Sequence, residues 1–247
     1  LFVFYTILTN IAIFISGERT AYLINVLSIF LIFILISKLK KTRLFLSLAI
    51  IISISLVIFI SPKIRLRMVY MPLEQINLFH WDDKEYISDN GELVLRKNIS
   101  FFSAQHEVLY KTAYNIFKDN KIFGIGPKNF REICKIKKYK TLTILDASVQ
   151  GCDTSPHNIY IQLLTETGII GTIPIIFIFS YLFFTLVKCF YFKYIKKEIY
   201  LLDHQICLCV LVFANLWPIL PTGNFFNSYL NTIYYLPLGF LISIIKK

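Results

Sequence analysis

Polar residues interrupt this chain at long, uneven intervals. Apolar stretches fill residues 1–15, 21–37 and 44–61, then 157–187, 204–220 and the segment that ends at Lys246-Lys247. A helix needs ~17–25 apolar residues to cross a bilayer, so each stretch predicts a span, the first of them partial. Short polar turns separate them, Ser16-Gly17-Glu18-Arg19-Thr20 near the start and Pro221-Thr222-Gly223-Asn224 near the end. Residues 62–156 break the rhythm, with no run long enough to cross. The pattern predicts an all-α integral membrane protein with about six transmembrane helices: three spans in 1–61, a large, partly helical loop in 62–156, and three spans in 157–247. Inside the loop, Leu109, Ala113, Ile116 and Phe117 share one face at helical spacing, which predicts a helix over 104–120. Gly124 stands where its stop is expected.

The stretch from Ser155 to Gly171 runs from polar loop into apolar span. Thr154 or Ser155 is expected to cap the helix and Pro156 to take its first position. That puts His157 in the first turn, where free N–H groups and the positive dipole end disfavour imidazolium and attract an anion. A neutral base beside an anion site, at the lip of a membrane, points to transfer chemistry on a lipid phosphate. From His157 to Val187 there are 31 residues, ~46 Å of helix against a ~30 Å hydrocarbon core. The first ten or so therefore stand at the outer interface, or the helix bends, with Gly168, Gly171 and Pro174 marking the place. Asn158, Gln162, Thr165 and Glu166 form one stripe, while His157, Tyr160, Leu164, Gly168 and Gly171 form the next. The glycines would admit a neighbouring helix. Glu166 lies ~180° around the helix from His157 and is expected to be structural, a buried polar tie.

Composition agrees with the pattern. Hydrophobic residues make up 56% and charged ones 17%, and mean hydropathy is +0.62, which excludes a soluble globule. A net charge of +11 would fit nucleic acid, but its distribution does not. The loop holds 15 of the 26 Lys and Arg and 11 of the 15 Asp and Glu. The rest cluster at the ends of apolar runs, at Lys38–Arg43, Lys188–Lys197 and Lys246-Lys247, which is the positive-inside pattern and no stacking nucleic-acid stripe. With those ends cytoplasmic, the loop and His157 fall outside. Arg19 falls there too, the one basic residue beyond the loop to do so. An arginine at the outer ends of two spans is a candidate site residue, with a structural pairing to Glu18 as the alternative. The chain begins inside an apolar run at Leu1, so it reads as the C-terminal part of a longer membrane protein.

Three separated pieces now align: Ser16-Gly17-Glu18-Arg19, then Ile122-Phe123-Gly124-Ile125-Gly126-Pro127-Lys128-Asn129-Phe130, then His157-Asn158-x-Tyr160 with Glu166, Gly168 and Gly171. Together they resemble the O-antigen ligase and polymerase family of bacterial membrane glycosyltransferases, over most of the chain. Gly124-Ile125-Gly126 follows no strand and lacks a third glycine, so it is no dinucleotide fingerprint. The resemblance implies a GT-C-like fold in the bacterial inner membrane. It implies transfer of a glycan, at the periplasmic face, from an undecaprenyl-diphosphate carrier to an acceptor hydroxyl such as that of the lipid A core. No nucleotide sugar, cofactor or metal is implied. The family histidine maps onto His157, which would activate the acceptor, and a family arginine onto Arg19, which would bind the diphosphate. Asn158 and Tyr160 would contact substrate, with Gly124, Gly126, Gly168 and Gly171 structural.

One departure stands out. Family members often carry a second arginine in the loop helix, where this chain reads Ser103-Ala104-Gln105-His106-Glu107. His106, Lys111 or Lys128 is expected to face phosphate in its place. Cys134 and Cys152 are the only cysteines of the loop, and an oxidising outer compartment would let them pair. Such a bridge would hold the segment after Gly126 against the start of the His157 helix. Repeat-unit polymerisation and glycan transfer to protein are the alternative activities. A transporter would need ionisable residues in mid-span, which are scarce here. A membrane anchor whose loop binds a partner would leave His157 and Arg19 without a task.

Overall fold

The computed structural model describes residues 2–75, 86–87, 93–94, 102, 104–139 and 151–245. Ser103 and the Lys246-Lys247 cluster lie outside the described residues. Among the described residues helices dominate, and the one strand pairing is a two-residue antiparallel ladder of β1 (Tyr86–Ile87) with β2 (Leu93–Val94). The chain divides into two compact units, Leu1–Arg19 with Phe45–Ala104, and Thr20–Leu44 with Gln105–Lys247.

The first unit contains α1 (Phe2–Ser16) and most of α3 (Lys40–Ile60). Phe14, Ile50 and Ile54 are buried, whereas Ile51, Ile52, Leu56 and Phe59 of α3 are exposed. So broad an apolar surface suits lipid and not water. Ser61 then caps a new start through its hydroxyl, with Pro62 at the first position. α4 (Pro62–Arg65), a π turn (Leu66–Tyr70) and α5 (Met71–Gln75) follow without a break.

The second unit holds α2 (Arg19–Leu35) beyond its first residue, α6 (Ala104–Asp119), α7 (Phe130–Ile133), α8 (Ile159–Tyr191), α9 (Asp203–Asn215) and α10 (Ser228–Ile245). α2, α8, α9 and α10 share a core that includes Leu35, Leu182, Val210, Phe213 and Leu241. At one end of this core the two basic clusters meet. Lys193 Nζ donates to the Ile34 and Ile36 carbonyls (2.6 and 2.8 Å), and Arg43 Nη1 to those of Ile32 and Phe33 (3.0 and 2.8 Å). Cations there satisfy the open carbonyls that end α2. Clusters far apart in sequence thus share one end of this core.

Two helices are long and apolar enough to cross a bilayer, Lys40–Ile60 and Ile159–Lys196, while Val3–Ser16, Arg19–Leu35 and Asp203–Asn215 are shorter apolar helices. The span expected over 204–220 ends at Asn215 because Pro218 disfavours helical backbone at Trp217.

α8 is not one continuous helix. It breaks at Gly168, where φ is 65° and ψ −166°, and not at Pro174. The partner at the break is loop backbone, not the neighbouring helix expected from the glycines. Ile125 N–H and Gly126 N–H donate to the Thr165 and Glu166 carbonyls (3.1 and 2.8 Å), and Ile169 N–H and Ile170 N–H donate back to Lys121 and Ile122 (2.9 and 3.3 Å). A side chain has no room here. A Cβ on Gly168 would lie 2.2 Å from the Ile122 carbonyl oxygen, and one on Gly124 would lie 2.4 Å from the Glu166 carbonyl carbon. Both glycines also have positive φ, which costs any residue with a Cβ. Gly171 sits against Thr167 of its own helix.

Candidate functional site

The segment before α8 departs from the expected cap. The capping residue is Asn158, whose Oδ1 accepts from Tyr160 N–H and Ile161 N–H (3.0 and 3.1 Å). The helix begins at Ile159, so neither Pro156 nor His157 lies in its first turn. Asparagine outranks threonine as a cap, and its amide also has N–H groups to spend. Nδ2 donates to the Pro218 carbonyl at 2.8 Å and more weakly to that of Leu220 at 3.5 Å. Tyr160 Oη donates to Leu216 at 2.7 Å. Both side chains anchor α8 to the segment after α9, and the Asn158 amide has no open polar atom left for substrate.

His157 instead occupies a left-handed backbone position, φ 57°, half-buried beside the chain that leads into α8. Its Nε2 lies 3.0 Å from Asp153 Oδ2. A carboxylate only accepts, so in the neutral ring Nε2 carries the proton and Nδ1 carries the lone pair. Asp153 is shaped for that partner. Burial pushes its pKa up, but hydrogen bonds from His157 and from Thr154 outweigh this and hold it below the usual carboxylate range. His106, from α6, stands edge-on to His157 with ring centroids 5.9 Å apart. Burial, and then the charge of His157, hold His106 below the ordinary imidazole pKa. The structure thus gathers Asp153, His157 and His106, two of which were singled out in the sequence. Asp153 was missed because it precedes the helix, where no periodicity points to a partner four residues on.

The other loop cations are placed differently. Lys111 is paired with Glu107 at 2.6 Å. Lys128 is exposed, in a left-handed turn position (φ 64°).

A buried polar chain runs through the same unit. Glu166 is fully buried; its Oε1 accepts from Phe130 N–H and its Oε2 from Gln162 Nε2 (both 3.0 Å). Gln162 continues to Asn224 Oδ1 at 2.8 Å and accepts from Phe225 N–H at 2.9 Å. The glycine-rich piece, α8 and the turn before α10 are thereby joined through one carboxylate and one amide. Cys134 and Cys152 form a disulfide with Cα atoms 5.2 Å apart, within the usual range. It closes over a core of Leu109, Ala113, Ile116 and Phe130 and leads directly into Asp153.

In the first unit, Arg19 opens α2 and its Nη2 lies 3.5 Å from Met71 Sδ. It is not paired with Glu18, whose carboxylate lies 3.6 Å from Arg67 instead. Among the described residues, no group of three or more His, Cys, Asp or Glu is placed to hold a metal ion.

The chain is thus largely helical, with two helices long and apolar enough to cross a bilayer and a paired imidazole just before one of them. The family model for O-antigen ligase matches residues 3–176, and the chain belongs to that family. Its members are glycosyltransferase or ligase enzymes that act on a lipid-linked glycan and a glycan acceptor. No curated protein and no solved structure matches the chain.

Proposed function

We propose that this chain transfers a glycan from an undecaprenyl-diphosphate carrier to an acceptor hydroxyl, that of the lipid A core, at the periplasmic face of the inner membrane. In this reading the fold is GT-C-like with six spans. The observation that carries it is the Asp153–His157 pair beside His106. His157 Nδ1 takes the acceptor hydroxyl proton as the oxygen attacks the anomeric carbon. The bond from that carbon to the phosphate oxygen breaks, and the diphosphate leaves with the electron pair. Asp153 orients the ring and stabilises the imidazolium that forms. Arg19 holds the diphosphate through its planar fork.

The test uses the full gene. A deletion strain is complemented with parent or His157→Ala, and its lipopolysaccharide is resolved on gels, with membrane insertion checked. Parent should restore long chains on the lipid A core. His157→Ala should lose transfer by ~10²-fold or more, the usual scale for a missing general base. Normal long chains from a well-inserted variant would remove His157 from the reaction. A deletion strain that accumulates single-repeat product would make the enzyme a polymerase.

A further inference from the structure

The residue beside Arg19 is Arg67, which no motif singles out. A Cβ on Gly17 would stand 2.8 Å from Arg67 Nε and 2.9 Å from its Cδ, so this side chain lies across the turn that leads into Arg19. Arg19 in turn reaches Met71, one helical turn beyond Arg67. The two charges are close enough to act on one another. Glu18 faces Arg67 through a 3.6 Å contact between groups that are both more than half exposed, and such a pair is worth little. Arg19 itself reaches a thioether and not that carboxylate. Two adjacent guanidiniums at the end of apolar helices are costly unless an anion joins them. Arg67 also sits within the π turn Leu66–Tyr70, a widening often found at functional sites.

We propose that Arg67 and Arg19 together grip the phosphates of a lipid, and that of the available lipids the diphosphate carrier fits best, one fork to each phosphate. Glu18 holds Arg67 only until phosphate displaces it. The inference rests on the reading of Arg19 as a diphosphate ligand and adds a second ligand to it, in place of the arginine that the loop helix lacks. The ligand chemistry is a lipid phosphate, which a carrier diphosphate or an ordinary anionic headgroup could supply.

Full-length protein in phosphatidylcholine nanodiscs would be titrated with undecaprenyl diphosphate, and separately with phosphatidylglycerol. Parent would be compared with Arg67→Gln, Arg67→Lys, Glu18→Gln and Arg19→Lys. Arg67→Gln and Arg67→Lys should each weaken diphosphate binding by at least ~10-fold, the scale of a lost charged hydrogen bond. Glu18→Gln should strengthen it, because a competing anion is gone. If Glu18→Gln weakens binding as Arg67→Gln does, the pair is structural and the proposal falls. Parent-like binding by both Arg67 variants, with loss in Arg19→Lys, sinks Arg67 and leaves Arg19 standing. Parent-like binding by all three arginine variants sinks both assignments. Phosphatidylglycerol binding as tight as the diphosphate, and equally sensitive to Arg67, would overturn the carrier as occupant.

Discussion

In the proposed reaction a single carboxylate, that of Asp153, is what equips His157 as a base. Asp153 fixes which ring nitrogen of the neutral His157 keeps its proton, and so, in the proposed reaction, which one is open to the acceptor. Asp153→Asn retains shape and loses both the charge that stabilises imidazolium and the acceptor-only chemistry that sets the tautomer. We expect kcat for glycan transfer to fall by at least roughly tenfold, with KM for the lipid donor unchanged. A raised KM with intact kcat would show Asp153 to be a binding group, not a positioning one. His157 was legible through the motif that contains it, but its setting was not. The dipeptide Ser155-Pro156 looks like a helix start, and Asn158 won the cap because its amide serves two carbonyls of the segment after α9 as well as two N–H groups of α8. Those carbonyls are 60 and 62 residues away, beyond any local rule.

At the scale of elements, periodicity served well where a helix buries one face. The helix expected over 104–120 is α6, Ala104–Asp119, with Leu109, Ala113 and Ile116 buried. Asn158, Gln162, Thr165 and Glu166, one stripe in the sequence, are all buried together. The break in α8 was less legible. Glycine marked a region, but only the inserted loop decides that Gly168 bends and Pro174 does not. The two glycines of that junction make a prediction. Gly168→Ala or Gly124→Ala must push the segments apart and adopt a left-handed backbone, so each should destabilise the folded protein by more than ~1 kcal/mol. Gly171→Ala meets the Thr167 side chain of its own helix but needs no left-handed backbone, and should cost less. Thermal unfolding of the purified variants in detergent would show the order. A Gly124→Ala protein as stable as the parent would mean that loop and helix are not joined as described.

For the whole molecule, the apolar runs and basic clusters made the membrane class legible. Lengths were legible in part: the overlong helix expected from His157 is α8, 33 residues broken at Gly168, whereas the span expected over 204–220 stops at Asn215. The disulfide bears on topology as directly as any charge count. Cys134 and Cys152 lie 18 residues apart, and closing that loop stabilises the fold by ~3 kcal/mol in the chain-entropy model. Such a bond persists in an oxidising compartment, which in the proposed topology is the side opposite to the basic clusters. Cys189 and Cys209 are buried and unpaired. In unreduced membranes a thiol reagent should therefore leave Cys134 and Cys152 unlabelled, and prior reduction should expose both. Cys134→Ser should leave Cys152 reactive without reduction and lower the unfolding midpoint. Activity should fall as well, because the bridge ends one residue before Asp153 and steadies its approach to His157. Full alkylation of both thiols before reduction would place the loop in a reducing compartment and invert the proposed topology, taking the periplasmic reaction with it.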